Sequence, residues 1–311
     1  ELLRKRKEHL EHVLQAVEEI QHLEADNHWE KMLDIIRLTT QKEELEKQYA
    51  GSDNLQKRIN IHVYSTSKVP WFAWVMEGLE LKQGMKILEL GCGTGALWIQ
   101  QRESLPANLE ILLTDKSEGM LETAREGIGQ YQEYFASKSI KFTFLQMAAE
   151  DFGASQEKYD RIIANHMLYH VAGDKRLRLL ENCAKSLKET GMFYASTVGR
   201  THMKEMFDLQ KAFDSRMNPP GWFSEGFELE NGGVQLKKAF AKVTVEEQEN
   251  DLLVPDPEVL YHYIESLPGS NGKIVSERGE EFLSFLKERI SPEKPFFCHK
   301  STGAFRAFVR E

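Results

Sequence analysis

From Met85 onward the apolar positions fall into short runs separated by stretches with helical spacing. Residues 86–90 read as a buried strand, 96–103 as a helix, 109–115 as a second strand, and 119–135 as a helix with Met120, Leu121, Ala124 and Ile128 on one face. Residues 140–147 alternate as a strand, 159–165 form another, 174–188 read as a helix opened by an N-capping Asp174, and 191–198 give a fifth strand. This alternation predicts right-handed crossovers and an α/β fold, a parallel sheet with helices on both faces. After Val198 it breaks: 201–217 read as a helix, 218–222 as a rigid turn, and 223–240 as aromatic-rich irregular structure. Residues 243–254 and 303–309 are expected to close the sheet, with helices near 256–266 and 277–290 between them.

Upstream the pattern is different. Residues 1–48 are rich in Glu, Lys, Gln, Leu and His, with neither Gly nor Pro before Gly51. Leu3, Leu10 and Val17 recur every seven residues, with Val13 and Ile20 three residues after the last two of them, so a short coiled-coil seam interrupted by Arg6 is expected. Trp29, Met32, Leu33 and Ile36 mark a second helix, and Ala50 to Asn54 a linker. Pro70 then opens a short apolar helix through Trp71 and Trp74. The division expected is a helical arm over 1–52 that serves as a dimerisation coiled coil, and one large domain over 53–311 carrying a substrate-cover insertion at about 200–275.

Composition narrows the class. Of 311 residues, 41% are hydrophobic and 29% charged, which is globular, and the net charge of −9 lacks the basic excess that drives non-specific nucleic-acid binding. Three widely spaced cysteines, Cys92, Cys183 and Cys298, read as free thiols in a reducing cytoplasm. No apolar run approaches the ~18 residues of a membrane span.

The most informative stretch is Glu89-Leu90-Gly91-Cys92-Gly93-Thr94-Gly95, a buried strand running into three glycines and then a helix. Ligands of open α/β sheets bind at this carboxyl edge, and glycines let backbone approach them closely. A dinucleotide loop has G-x-G-x-x-G, whereas Ala96 here stands where the third glycine belongs, so a phosphate ligand is disfavoured. Asp115, at the end of the second strand, can accept both hydroxyls of a ribose. Glu89 precedes the glycines, where its carboxylate orients the loop or reaches an ammonium group. The pair suits a ligand with a ribose, an amino-acid tail and no phosphate.

These residues strongly resemble the class I S-adenosylmethionine-dependent methyltransferases, and four further segments match in order. Lys116-Ser117-Glu118-Gly119-Met120-Leu121 is similar to the family's segment after the ribose acid, with Met120 beside the adenine. Ala149-Glu150-Asp151-Phe152 resembles its adenine-edge turn. Residues 160–171, through Asn165, His166 and His170, resemble its fourth strand and following loop, and 187–191 its fifth-strand entry, with Met192 where a second glycine is common. The resemblance covers about residues 60–200 and implies a Rossmann-like sheet, S-adenosyl-L-methionine as cofactor, S-adenosyl-L-homocysteine as product and a small-molecule acceptor. The implied cofactor residues are Tyr64, Glu89, Gly91, Cys92, Gly93, Gly95, Asp115, Lys116, Met120, Ala149, Glu150 and Asn165. Ala148 replaces the acid usual before the Ala-Glu pair, so the adenine amino group must find Glu150, Asp151 or backbone.

Methyl transfer from a sulfonium is an in-line displacement, in which the protein mainly aligns the partners and removes water. A base is needed only for a protonated nucleophile, and His170 and His166 are the candidates. Their i, i+4 spacing lacks a third ligand, so no metal is expected. Tyr64 belongs to a lid-like segment with Trp71 and Trp74. Arg200, His202, Phe213, Trp222, Phe223 and Phe227 are expected to form a substrate cover.

Residues 2–23 also resemble, in pattern, the dimerisation helix of mercury-resistance-type (MerR) regulators, and Arg4-Lys5-Arg6-Lys7 with the opening on Glu1 fits a chain whose DNA-binding head is absent. The first reading is thus a homodimeric small-molecule methyltransferase with no membrane partner and no nucleic acid at its catalytic domain. The alternative is a regulator whose effector domain binds S-adenosylmethionine without turnover and contacts DNA through a missing N-terminal segment. A nicotinamide oxidoreductase is disfavoured by the glycine spacing.

Overall fold

A computed structural model describes residues 60–217, 224, 226–267 and 270–310. The arm and linker expected over 1–54 and the turn expected at 218–222 lie outside the described residues.

The centre of the fold is set by the short buried strand β1 (Lys86–Leu90). Side chains alternate across a strand, so Leu88 and Leu90 enter one core layer while Ile87 enters the other. The Ile87 layer is covered by α1 (Trp71–Leu79), α2 (Ala96–Gln100), α3 (Glu118–Gly129) and α4 (Gln132–Ser137). The Leu88 layer is covered by α5 (Gly173–Ser186) and α7 (Leu229–Leu236). Beside β1 lie β2 (Glu110–Asp115), β3 (Lys141–Gln146), β4 (Tyr159–Asn165) and β5 (Leu187–Val198), all parallel, in the order β3-β2-β1-β4-β5. The antiparallel β9 (Thr302–Phe308) then pairs with β5, and the edge strand β6 (Lys242–Glu247) pairs antiparallel with β9. The chain leaves β1 in one direction and returns to its other side at β4, which opens a crevice at the carboxyl ends of these two strands. The sheet and its flanking helices agree with the α/β expectation.

At the opposite edge, Arg161 of β4 donates from Nε to the Leu79 carbonyl at 2.6 Å and from Nη2 to that of Glu80 at 3.1 Å. A cation on the last carbonyls of a helix satisfies orphan acceptors and opposes the helix dipole, so α1 is anchored to the sheet.

A third core lies beyond β5. Here α6 (Lys204–Phe213), α8 (Pro257–Glu265), α9 (Ser270–Glu277), α10 (Gly279–Lys287) and the two-stranded sheet of β7 (Leu252–Val254) and β8 (Phe296–Cys298) pack with the short 3-10 turn Ile61–Tyr64. Residues 200–275 are therefore divided: 204–213 and the part from 252 onward join this cap, whereas α7 and β6 belong to the main sheet domain.

Four expectations need correction. Residues 229–236 are helical rather than irregular, because Glu228 and Asn231 form a reciprocal capping box that outweighs Gly232 and Gly233. The strand expected at 243–254 is two strands in different sheets, separated at Gln248 to Asp251. The helix expected at 119–135 breaks into α3 and α4 around Gln130 and Tyr131. Asp174 is not the N-cap of α5, since Ala172 holds that position and Asp174 lies in the first turn, where its charge complements the helix dipole. No helix among the described residues is long and apolar enough to cross a membrane.

Candidate functional site

The crevice is built on the turn between β1 and α2. Gly91, Gly93 and Gly95 all have positive φ, at 68°, 56° and 68°. A Cβ on Gly91 would lie 3.2 Å from the Met167 side chain, so this glycine lets the turn pack against the loop after β4. A Cβ on Gly93 would meet nothing within 4 Å, so the backbone there faces open space.

Asp115 closes the neighbouring strand. Its Oδ2 accepts from the Gly93 amide at 2.9 Å and its Oδ1 from the Ser117 amide at 2.9 Å. A carboxylate has about four acceptor sites, so two backbone donors fix its orientation and leave capacity for a diol. Ser117 caps α3 by accepting from the Met120 amide, and the Met147 amide donates to the Asp115 carbonyl at 2.9 Å. The segments after β2 and β3 are thereby tied to one edge. Met120 is buried, Lys116 is exposed, Ala149 is buried in the 3-10 turn Ala149–Asp151, and Glu150 is half-buried, 3.9 Å from Lys175.

Glu89, 3% exposed, accepts from the Trp98 indole at 2.6 Å and from the Asn165 amide at 3.5 Å. Burial raises its carboxyl to about 7 against the opposing effect of these two donors, with the charge of Asp115 adding to the rise. Asn165 in turn accepts from the Ser196 hydroxyl at 3.0 Å. Cys92 is half-buried, and burial followed by the charges of Glu89 and Asp115 keeps it a thiol.

His166, just past β4, has φ 48°, and its amide donates to both the carbonyl and the hydroxyl of Ser196 at 3.1 Å. A non-glycine residue held there is a sign of strain kept by its surroundings. Its ring lies 5.1 Å from Trp71, which stacks on Trp74 at 5.2 Å, so the first turn of α1 reaches the same edge. Burial, then the charges of Lys300 and His170, lower His166 to about 4. His170 is exposed at the end of the turn Leu168–His170, with its ring 4.5 Å from Tyr169.

Glu89, Gly91, Cys92, Gly93, Gly95, Asp115, Met120, Ala149, Glu150, Asn165 and His166 thus lie on the strand ends of one sheet edge and on the turns and helix start that follow them. Tyr64 instead packs half-buried on the cap core. Phe213 meets Phe282 at 4.8 Å in the cap, and Phe227 meets Phe305 at 5.7 Å in the main core, so these two expected cover aromatics separate into different cores. Trp222 and Phe223 lie outside the described residues. Arg200 pairs with Glu228 at 3.0 Å, and His202 Nδ1 lies 3.0 Å from the Ser301 carbonyl. The sequence reading missed Trp98, Ser196, Arg176 and Lys300. Trp98 sits nine residues after an acid on a strand, a signal that could have paired them, while Lys300, in His299-Lys300-Ser301-Thr302, looks like a solvated strand entry.

A parallel sheet whose switch point holds a glycine turn facing open space, beside an anchored strand-end carboxylate, defines a nucleoside-binding α/β domain. Residues 87–191 match the family described as "Methyltransferase domain". The chain is 28% identical over 176 residues to malonyl-(acyl-carrier protein) O-methyltransferase 1 of Ilyobacter polytropus, covering 54% of this chain and 60% of that protein. It is 28% identical over 123 residues to the ubiquinone biosynthesis O-methyltransferase of Glaesserella parasuis, covering 38% of this chain and 47% of that protein. It thus spans about half the length of the curated relatives it matches. Among solved structures, a SAM-dependent methyltransferase from Archaeoglobus fulgidus is similar with TM-score 0.44 at 15% identity, covering 76% of this chain and 90% of that one. Among the described residues, no group of three or more His, Cys, Asp or Glu is placed to hold a metal ion.

Proposed function

We propose that the protein transfers the methyl group of S-adenosylmethionine to a small-molecule acceptor at the carboxyl edge of β1 and β4. The observation that carries this reading is the Asp115 carboxylate, fixed by the Gly93 and Ser117 amides beside a glycine turn that faces open space. The residues present fit the cofactor. Asp115 would take the ribose hydroxyls, and the turn from Gly91 to Gly95, with Cys92, would hold the amino-acid tail together with Glu89 and Asn165. Lys116, Met120, Ala149 and Glu150 would hold the adenine. Tyr64 belongs to the covering segment. Bound there, S-adenosylmethionine supplies a methyl group activated by its sulfonium.

The chain's own contribution is orientation and the exclusion of water. His166, lowered to about 4, is a neutral imidazole at pH 7 and a weak base, so it lines the acceptor side as a hydrogen-bonding group rather than removing a proton. His170 is exposed at the end of the turn Leu168–His170. Relatives named as O-methyltransferases support oxygen as the acceptor atom. The large domain of 53–311 carries this activity, the coiled-coil arm of 1–52 joins two copies, and the free thiols fit the cytoplasm.

Calorimetry with S-adenosylhomocysteine tests the reading: wild-type protein binds it, and Asp115→Ala weakens binding about tenfold or more. Failure of the wild type to bind S-adenosylhomocysteine or S-adenosylmethionine would overturn it. An unchanged Kd in the variant would remove Asp115 from the site.

A further inference from the structure

Just beyond the carboxyl edge of β5, the chain that leads from β8 into β9 carries Lys300, which is 7% exposed. Thr302 pairs with Val198 and the Gly199 amide donates to the Ser301 carbonyl at 3.0 Å, so Lys300 sits on the same edge of the sheet as His166. Its ammonium has three donors. One meets His62 Nδ1 at 3.4 Å, and with the Asn250 amide turned to satisfy its neighbours a second meets the amide oxygen at 3.2 Å. Among the described residues no carboxylate lies within ion-pair distance of Nζ. Asp251 is the nearby acid, and its Oδ1 is engaged by the Lys300 backbone amide at 2.8 Å and by His299 Nδ1 at 2.9 Å.

Three histidines surround this cation. His62, His166 and His202 each feel the charge of Lys300. His166 and His202 are held below their ordinary range, first by burial, and neutral imidazoles do not repel the ammonium. Burial lowers Lys300 itself to about 8, against the opposing influence of Cys298 and Asp251, so it remains mainly charged at pH 7. A buried cation with neutral ligands and one donor left over is electrostatically incomplete, and an anion is what completes it.

We propose that the methyl acceptor is an oxyanion, a carboxylate or an ionised acidic hydroxyl, and that Lys300 holds its charged oxygen. This rests on the methyl-transfer reading above. The acceptor oxygen gives its lone pair to the methyl carbon as the carbon–sulfur bond breaks onto sulfur, so one negative and one positive charge cancel and no proton has to be removed. That accounts for a site whose innermost histidine is too weak a base to be needed.

The test offers benzoate, phenylacetate and 4-nitrophenol against benzamide, phenylacetamide and benzyl alcohol, with S-adenosylmethionine and the full chain, and reads S-adenosylhomocysteine formed. The acids are expected to turn over at least about tenfold better than their neutral counterparts. Lys300→Met should raise KM for the acids by about tenfold or more while leaving the Kd for S-adenosylhomocysteine unchanged, and Lys300→Arg should keep the preference for acids. Comparable turnover of acids and neutral compounds overturns the proposal, as does a preference that survives Lys300→Met, or turnover of no acid by protein that binds S-adenosylhomocysteine. A wild type that binds neither cofactor form instead overturns the methyl-transfer reading itself. Should Lys300→Met fail to fold, Lys300→Gln is read in the same way.

Discussion

Glu89 sits with one carboxylate oxygen on the Trp98 indole and the other on the Asn165 amide, and is 3% exposed. Its folded pKa of about 7 exceeds the ordinary 4.5, so the folded state binds more protons than the unfolded chain between those values. The stability contributed by this group is therefore complete below about 4.5 and is lost as pH rises towards 7. Glu89→Gln, which keeps an acceptor for Trp98, is expected to gain up to about 3 kcal/mol over wild type at pH 8 and little at pH 4. Urea unfolding at both pH values checks it, and equal differences at the two would count against the shift. At this scale the sequence exposed the glycines, Glu89 and Asp115, because a buried strand leading into closely spaced glycines leaves few conformations open to the turn and the helix after it. It did not expose Lys300. That residue owes its burial to chain arriving from the cap, and its partners His62 and Asn250 are distant in sequence.

The element that holds the site's outer loop is α5, through a side chain that composition would place in solvent. Arg176 is 5% exposed and donates to the carbonyls of Leu168 at 3.0 Å and Val171 at 2.8 Å, and to the Gln235 side chain at 2.9 Å. One guanidinium thus joins the turn carrying His170 to α5 and α7. Arg176→Met leaves those carbonyls without a donor and is expected to cost about 2–4 kcal/mol. It should also weaken S-adenosylhomocysteine binding, since Met167 in the same loop packs on Gly91. Thermal and denaturant melts with calorimetry test both effects, and a variant as stable as wild type would refute the clamp. Strands β1, β2, β4 and β5 were legible because each carries a buried apolar run between turn signals, and β3 through its alternation. The helix at 229–236 was not, since 223–240 read as aromatic-rich irregular structure while the capping box that starts the helix depends on two side chains meeting across one turn.

Across the whole molecule, three cores are stitched together by polar contacts. The Gln248 side chain donates to the Val69 carbonyl at 2.8 Å, and the Thr66 amide to that of Asp251 at 2.7 Å. The segment before α1 is thereby tied to the link between β6 and β7, and so to the cap. The expected cover was readable as an interruption of the strand and helix alternation, but its assembly from three separated pieces was not, because the Ile61–Tyr64 turn joins it from far upstream. If the proposed joining of two copies through residues 1–52 holds, their deletion is expected to halve the mass read by light scattering while S-adenosylhomocysteine binding by calorimetry is kept. A chain of residues 1–311 that is already monomeric would refute that proposal.

The placing of β9 between β5 and β6 carries a consequence for how the chain is made. On the ribosome, β5 and β6 are complete long before their common neighbour emerges, and the whole of the cap must be synthesised first. During that interval β5, with its bare Met192–Val198 edge, offers unpaired amides and carbonyls to any other strand. Strand β9, made only after the cap, is thus the element that protects the nascent sheet from aggregation, and the delay falls in the slow, non-local class of pairing.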